Sequence, residues 1–154
     1  MVALDCDGQH NPEDMPHLPN VAEWSPQHIV IGARLHDKKS FPARHYSTNQ
    51  FARFWISWAA GYPISDTQSG FRVSPAALFK KIKDRDFAWN GFVFESEVLI
   101  EAGALGMQSI AVAILGIYPK QARPSHFRPV HDIARLVMMV AGRLLRRGMH
   151  PLGL

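Results

Sequence analysis

The chain contains one cysteine, Cys6, in 154 residues, so no disulfide can form within it. That excludes the small secreted domains built on a disulfide framework. Charge is also scarce, at 19% of residues against 47% hydrophobic, a balance that excludes a disordered or charge-extended chain. Long apolar runs are missing too: no stretch reaches the roughly 20 residues that a membrane-spanning helix needs. The amino terminus has no basic cluster leading into an apolar run, so no secretory leader is expected. Internal repeats and low-complexity tracts do not occur. A chain of 154 residues is long enough for one domain with a real core.

The net charge of +4 is unevenly spread. Residues 123–154 hold six of the seventeen basic residues, all Arg, and one of the thirteen acidic residues, Asp132. The rest is nearly neutral. A basic carboxyl-terminal segment points to anionic lipid or phosphate more than to a nucleic-acid groove. Nucleic acid is not an expected partner, because the charge is modest and the aromatics fall on a stripe that reads as buried.

The densest chemistry lies at the start, in Val2-Ala-Leu-Asp-Cys-Asp-Gly-Gln-His-Asn-Pro-Glu-Asp14. A short apolar run leads into Asp5 and Asp7 at alternate positions, which share a face in a strand. Two such carboxylates repel unless a cation lies between them. Gly8 permits a sharp turn, and Gln9 adds a neutral oxygen. Asn11 can cap a helix whose first turn accepts Pro12. Oxygen donors of this kind suit Mg2+ or Mn2+ holding phosphate. The alternative is a solvated acidic turn.

Further along, residues 12–24 read as a short helix broken by Pro16 and Pro19. Residues 28–34 (HIVIGAR) read as a buried strand ending at Gly32. Ser47 and Gln50 fit a capping box before a helix with Phe51, Phe54, Trp55 and Trp58 at helical spacing, read as an aromatic core stripe. A membrane interface, where Trp is comfortable, is a further reading of that stripe. Residues 66–72 (DTQSGFR) form a second polar cluster, in which Asp66 and Arg72 could simply pair. Ser74 and Pro75 restart a helix.

Residues 92–105 read as a helix with Phe94, Val98, Leu99, Ala102 and Leu105 on its apolar side. Its dipole alone would account for Glu95 and Glu97 near the amino end. Residues 109–118 (SIAVAILGIY) read as a strand covered on both faces. Residues 119–129 are a loop whose Lys120, Arg123, Ser125, His126 and Arg128 suit a diphosphate, or else form a solvated basic loop. Residues 130–147 read as a last helix, lying in a membrane surface as a basic amphipathic helix or packing on the core with an Arg-rich end that matches its dipole. Strands alternating with helices argue for an α/β sheet.

Taken together, LDCDGQHNPED, VIGAR, SDTQSGFRV, FVFESEVLIEAGALG and a Y-P-x-x-x-R-x-S-H-F-R-P loop, in that order, resemble family 2 glycosyltransferases. The branch they resemble is the dolichyl-phosphate mannosyltransferase-like and bacterial polyprenyl-phosphate glycosyltransferase one. The resemblance runs from Val2 to about Arg147. It implies an α/β partial GT-A sheet with flanking helices and a C-terminal amphipathic helix. Residues 1–129 would then be the C-terminal portion of a GT-A catalytic domain, and 130–154 a basic amphipathic helix and tail.

The resemblance also implies a nucleotide-diphospho-sugar donor and Mg2+ or Mn2+. Asp7 and Gln9 would hold the metal, and Asp5 would assist from the nucleotide side. Arg34 and Arg44 would lie near the transferred sugar or the acceptor phosphate. Gln68 and Arg72 would contribute to donor or acceptor binding. Arg123, Ser125 and His126 would close over the diphosphate. Inversion is expected at the anomeric carbon. A polyprenyl-phosphate or other lipid-linked acceptor would need little base, whereas for a hydroxyl acceptor Asp66 is the candidate general base. The expected location is cytoplasmic, at the inner face of a membrane, with the membrane surface as a further partner. Family members begin with a V-P-x-Y-N-E strand and two more βα units ahead of the metal motif. This chain therefore looks like the carboxyl-terminal two-thirds of such an enzyme, a fragment by expectation.

Two rival readings exist. A haloacid-dehalogenase-like phosphatase also opens on an apolar strand and D-x-D-G, but expects Thr where Gln9 stands. It also needs a downstream Lys and a late acidic pair, neither found in good context. A non-catalytic membrane-surface module would associate with lipid without acting on a nucleotide-sugar.

Overall fold

The computed structural model describes residues 1–5, 10–33, 43–83, 87, 92–114 and 129–146, without the side chains of 43–48, 92, 129 and 130. The order is β1 (Val2–Ala3), a 3-10 turn (Pro12–Asp14), α1 (His17–Trp24), β2 (Ile29–Ala33), α2 (Ala43–Ala60), β3 (Arg72–Val73), α3 (Ala76–Ile82), α4 (Phe92–Ala104), β4 (Ser109–Ala113) and α5 (Pro129–Arg146). The four strands lie in the order β1-β3-β2-β4. β3 runs antiparallel to both β1 and β2, and β2 pairs parallel with β4. The fold is α/β, as expected, with a mixed sheet.

β2 is buried along its whole length, which explains its continuous β-branched run: side chains on both faces need apolar cover. Ile29 and Ile31 pack into one core with residues of α2, α3, α4 and α5. Val30 packs into a second core with Leu18 of α1, Phe71 and Ile114. One face of the sheet is thus covered by α1 and the other by the larger helical layer. Within that layer α2, α4 and α5 pack against one another.

Several expectations shift. Asn11 does cap through Oδ1, which accepts from the Glu13 N–H at 3.2 Å, but the element it caps is the 3-10 turn with Pro12 first. α1 follows separately from His17. α2 begins at Ala43, so Ser47 lies inside the helix and is not its cap. Pro75, without a side-chain cap bond, precedes α3. β4 is not covered on both faces. It lies at the sheet edge with alternate residues exposed, because among the described strands only β2 adjoins it.

The aromatic stripe of α2 divides. Trp55 and Trp58 pack against the core, while Phe51 and Phe54 are 48% and 47% exposed. Ala52, Ile56, Ala59 and Ala60 make the buried face instead. On α4, Phe94 is 37% exposed, whereas Val98, Leu99 and Ala102 are buried as expected.

α2 stops at Gly61, whose φ of +82° lies in the left-handed region. The Gly61 N–H donates to Trp58 O at 3.2 Å and the Tyr62 N–H to Ser57 O at 3.3 Å, the paired bonds of a Schellman ending. Ser57 Oγ also accepts from the Ile64 N–H at 3.0 Å. The chain leaving α2 is thereby folded back toward the sheet, and the polar segment that follows starts from a fixed point.

A β-carbon at Gly61 would meet nothing within 4 Å. Gly61→Ala therefore isolates the backbone cost, expected at about 1–2 kcal/mol of stability, read as a lower midpoint in denaturant with an unchanged slope.

Candidate functional site

Arg72 occupies the inner strand β3, level with Ala3 of β1 on one side and Ile31 of β2 on the other. Its side chain is only 7% exposed. Burying a guanidinium requires that its fixed fork of donors be met. Nε donates to Ser69 O at 2.6 Å, one terminal nitrogen to Thr67 O at 2.9 Å, and the other to Glu95 O at 3.2 Å. The Glu95 carboxylate lies 3.8 Å from the guanidinium. Arg72 therefore folds the segment before it around itself and joins it to the first turn of α4.

That segment has its own order. Asp66 Oδ1 accepts from the Gln68 N–H at 2.9 Å, a local side-chain turn. Gln68 Nε2 donates to Thr67 Oγ1 at 3.3 Å. Thr67, Ser69, Gly70 and Phe71 are buried. The Phe71 carbonyl accepts from the Gly32 N–H at 2.9 Å, tying the segment to β2. The His10 ring meets Phe71 edge-on at 5.5 Å, tying it to the chain after β1.

Asp5 reaches the same place from β1. Its carboxylate lies against Gly70 so closely that a β-carbon there would collide with Asp5 Oδ1, Cγ and Oδ2. Only glycine permits this approach. Asp5, Asp66 and Glu95 all act on the charge of Arg72, and so does Tyr62. Carboxylates from three separate parts of the chain thus act on one guanidinium, Glu95 being the close one at 3.8 Å.

The electrostatics follow from burial first. Desolvation pulls Arg72 below its ordinary value, and Glu95, then Asp66, Asp5 and Tyr62, pull it back up. Burial also raises Glu95; Arg72 opposes that rise and Asp5 adds to it. The Tyr62 phenol is raised by burial, against the pull of the Ser109 hydroxyl and Arg72.

Of the residues singled out from sequence, the structure brings Asp5, Asp66, Gln68 and Arg72 into one region. Asp66 and Arg72 do not make the simple pair considered above: the Asp66 carboxylate caps its own turn, and the close carboxylate partner of Arg72 is Glu95. Asp7, Gln9, Arg34, Arg123, Ser125 and His126 lie outside the described residues, as does the Arg44 side chain. Among the described residues no group of three or more His, Cys, Asp or Glu is arranged to hold a metal ion.

Glu95 and Tyr62 were not expected at the site. Glu95 is also where a helix dipole favours an acid, so its position in the sequence carried two explanations. The structure overturns the dipole as a sufficient one. Glu95 approaches Arg72, and Glu97 is buried at 1% exposure beside Arg143 of α5.

Two results are expected. Arg72→Lys should cost at least about 3 kcal/mol in chemical denaturation, because one ammonium cannot reach carbonyls placed for a planar fork. For Glu95, the folded-state value is raised above the ordinary 4.5. Its contribution is then fully present below pH 4.5 and is lost as pH rises through the raised value. Relative to Glu95→Gln, the stability of the native chain should therefore fall across that rise, measured by denaturant titration at a series of pH values.

No family model matches the chain. It is similar to an uncharacterized protein of Methanocaldococcus jannaschii, with 30% identity over 121 residues, covering 77% of this chain and 49% of that protein. It is also similar to the UDP-N-acetylglucosamine–dolichyl-phosphate N-acetylglucosaminyltransferase of Methanococcus voltae, with 28% identity over 150 residues, 94% of this chain and 59% of the relative. A third relative is the undecaprenyl-phosphate mannosyltransferase of Micrococcus luteus, with 26% identity over 122 residues, 74% of this chain and 47% of the relative. The chain spans about half the length of the curated relatives it matches. Two of these distant relatives are thus lipid-phosphate glycosyltransferases by name, and the four-stranded α/β architecture is compatible with part of such a fold.

Proposed function

We propose that this chain forms the acceptor-side part of an inverting family 2 glycosyltransferase that moves a sugar from a nucleotide-diphospho-sugar to a lipid phosphate at the inner face of a membrane. The observation that carries this reading is the convergence of Asp5, Asp66 and Glu95 on the buried Arg72. They come from the chain just after β1, the loop between α2 and β3, and the first turn of α4. The names of two relatives give the chemistry to which such a site is matched.

Asp5 follows β1 and rests on Gly70, so its position is set by the sheet and not by a free loop. Asp7 and Gln9, which follow it in the chain, would hold Mg2+ or Mn2+ through oxygen donors, the type such ions prefer. The excess of carboxylate over guanidinium around Arg72 fits a cation nearby. When bound, that ion supplies charge neutralisation to the departing nucleoside diphosphate. Arg34, Arg44, Gln68, Arg123, Ser125 and His126 are proposed to bind the donor and acceptor phosphates and the sugar, and the 130–154 segment to form the basic tail.

Arg72 acts as a positioning residue. Its donors are engaged by carbonyls, so it orders the Asp66 segment from beneath. Asp66 faces the acceptor. A lipid phosphate arrives already ionised and needs no proton removed before it attacks the anomeric carbon from the face opposite the leaving group. A hydroxyl acceptor would instead give its proton to Asp66.

The test is transfer of labelled sugar from a nucleotide-diphospho-sugar into organic-soluble product, with polyprenyl phosphate as acceptor and Mn2+ or Mg2+ supplied. With that acceptor, Asp66→Asn is expected to keep kcat within about tenfold. With a hydroxyl acceptor, the same change should cost about 10²–10⁴. Absence of transfer from every nucleotide-diphospho-sugar tried would sink the reading.

A further inference from the structure

The chain between β1 and the 3-10 turn is held from both sides. Before it, β1 is fixed to β3: Val2 lies level with Val73, Ala3 with Arg72, and Met1 N donates to Ser74 O at 2.8 Å. After it, Asn11 caps the turn at Pro12–Asp14, and its carbonyl accepts from the Asp14 N–H at 3.0 Å. Between these points, Asp5 and His10 each meet the segment that precedes β3, and they meet it at consecutive residues. The Asp5 carboxylate fills the space that a β-carbon of Gly70 would need. The His10 ring, buried at 9% exposure, meets the Phe71 ring edge-on, with centroids 5.5 Å apart and planes at 62°. That geometry is within the range of favourable aromatic pairs.

The support itself is rigid. Phe71 is fully buried and packs with Leu18, Val30 and Ile114. Its carbonyl is tied to the Gly32 N–H, and the Arg72 side chain holds the Thr67 and Ser69 carbonyls just before it. Residues 6–9, which include Asp7 and Gln9, lie outside the described residues. The residues on either side of them, Asp5 and His10, are thus both seated on one fixed segment.

We propose that His10 is a positioning residue for the divalent cation: its ring on Phe71, with the Asp5 carboxylate on Gly70, clamps both ends of residues 6–9 before the ion binds. The inference rests on the proposed assignment of Asp7 and Gln9 as oxygen donors, and adds what holds those donors in place. A segment whose ends are already fixed has less conformational freedom to lose on binding, so the same donors bind more tightly. The buried ring acts through its shape and its contact with Phe71, so a phenyl ring at position 10 serves as well as an imidazole. A ligating nitrogen could not be replaced in that way. The other anchor is equally open to test. Among the described glycines only Gly61 and Gly106 have positive φ, so Gly70→Ala displaces Asp5 without adding backbone strain. The segment from Asp66 to Arg72 then serves both sides of the site, presenting Asp66 and seating the chain that carries the cation's ligands.

The experiment is titration of the full chain with Mn2+ alone, followed by loss of the free-ion electron paramagnetic resonance signal, with no nucleotide, sugar donor or acceptor present. The native chain should bind Mn2+ saturably, and Asp7→Asn should abolish that binding, which locates the ion. His10→Ala is expected to weaken binding about 10- to 100-fold, the usual loss when a group supporting a ligand is removed. Gly70→Ala should weaken it to a similar extent, and keeps the test open if His10→Ala does not fold. His10→Phe should bind as the native chain does. Trp24→Ala, at an exposed position on α1, should change nothing. Circular dichroism checks the fold of each variant. Native affinity in both His10→Ala and Gly70→Ala overturns the proposal, and so does a His10→Phe variant that loses as much as His10→Ala, which would make the imidazole a ligand. Mn2+ uptake that survives Asp7→Asn also overturns it. A native chain that takes up no Mn2+ removes both this inference and the metal assignment beneath it. If the variants behave as expected and no sugar is transferred, only the transferase assignment falls.

Discussion

A guanidinium inside a protein must be surrounded by acceptors, and meeting that demand at Arg72 determines how the chain around the site is arranged. Its fork of donors takes the Ser69, Thr67 and Glu95 carbonyls. Two of these belong to the segment just before β3 and one to the start of α4. Leaving a buried cation without partners would cost several kcal/mol, so the segment after Asp66 has little freedom to adopt another shape. Gly70 falls within that segment and offers Asp5 a surface without a side chain. The acidic end of β1, the polar turn at Asp66 and the amino end of α4 are thus arranged by one buried side chain.

α4 links this region to the rest of the helical layer. Its first turn carries Glu95 toward Arg72, and two and six residues further on Glu97 and Glu101 hold Arg143 of α5. Around these acids Val98, Leu99, Ile100 and Ala102 lie in the core. Placement of α5 is therefore coupled through a rigid, well-packed element to the side chain that borders the site. At the α5 end both Glu97 and Glu101 are buried with Arg143, and at the other end the Arg72 guanidinium is buried, so removing a partner at either end leaves a desolvated charge behind.

Much of this could be read from residues alone, and the misses have physical causes. β2 was legible because a strand buried on both faces needs an unbroken run such as Ile29-Val-Ile. The turn at Asn11 and Pro12 was legible from capping chemistry. The start of α2 was not. Ser47 and Gln50 match a capping box, but once a helix is nucleated each added residue is gained cheaply, and the helix extends back to Ala43. Covering β4 on both faces was inferred from an apolar run, which does not distinguish an inner strand from an edge one. Asp5, Asp66, Gln68 and Arg72 were picked out by clustering of polar residues around glycine. Glu95 was passed over because the helix dipole already explained an acid in a first turn. The spacing of Glu97 and Glu101 on an otherwise apolar helix was the available signal for Arg143: acids four apart share one face, and on a buried face they require a cation.

The pairing of β1 with β3 also sets an order of events during synthesis. Met1 N donates to Ser74 O at 2.8 Å, across 73 positions of chain. Val2 and Ala3 have no neighbour among the described strands until the chain through Val73 has been made, on the order of several seconds after them. Contacts between such distant segments form late, since the intervening loop must close before they contribute. Asp5 follows β1, so its contribution to the acidic cluster around Arg72 waits for that closure, while Asp66 and Glu95 reach Arg72 from the later chain.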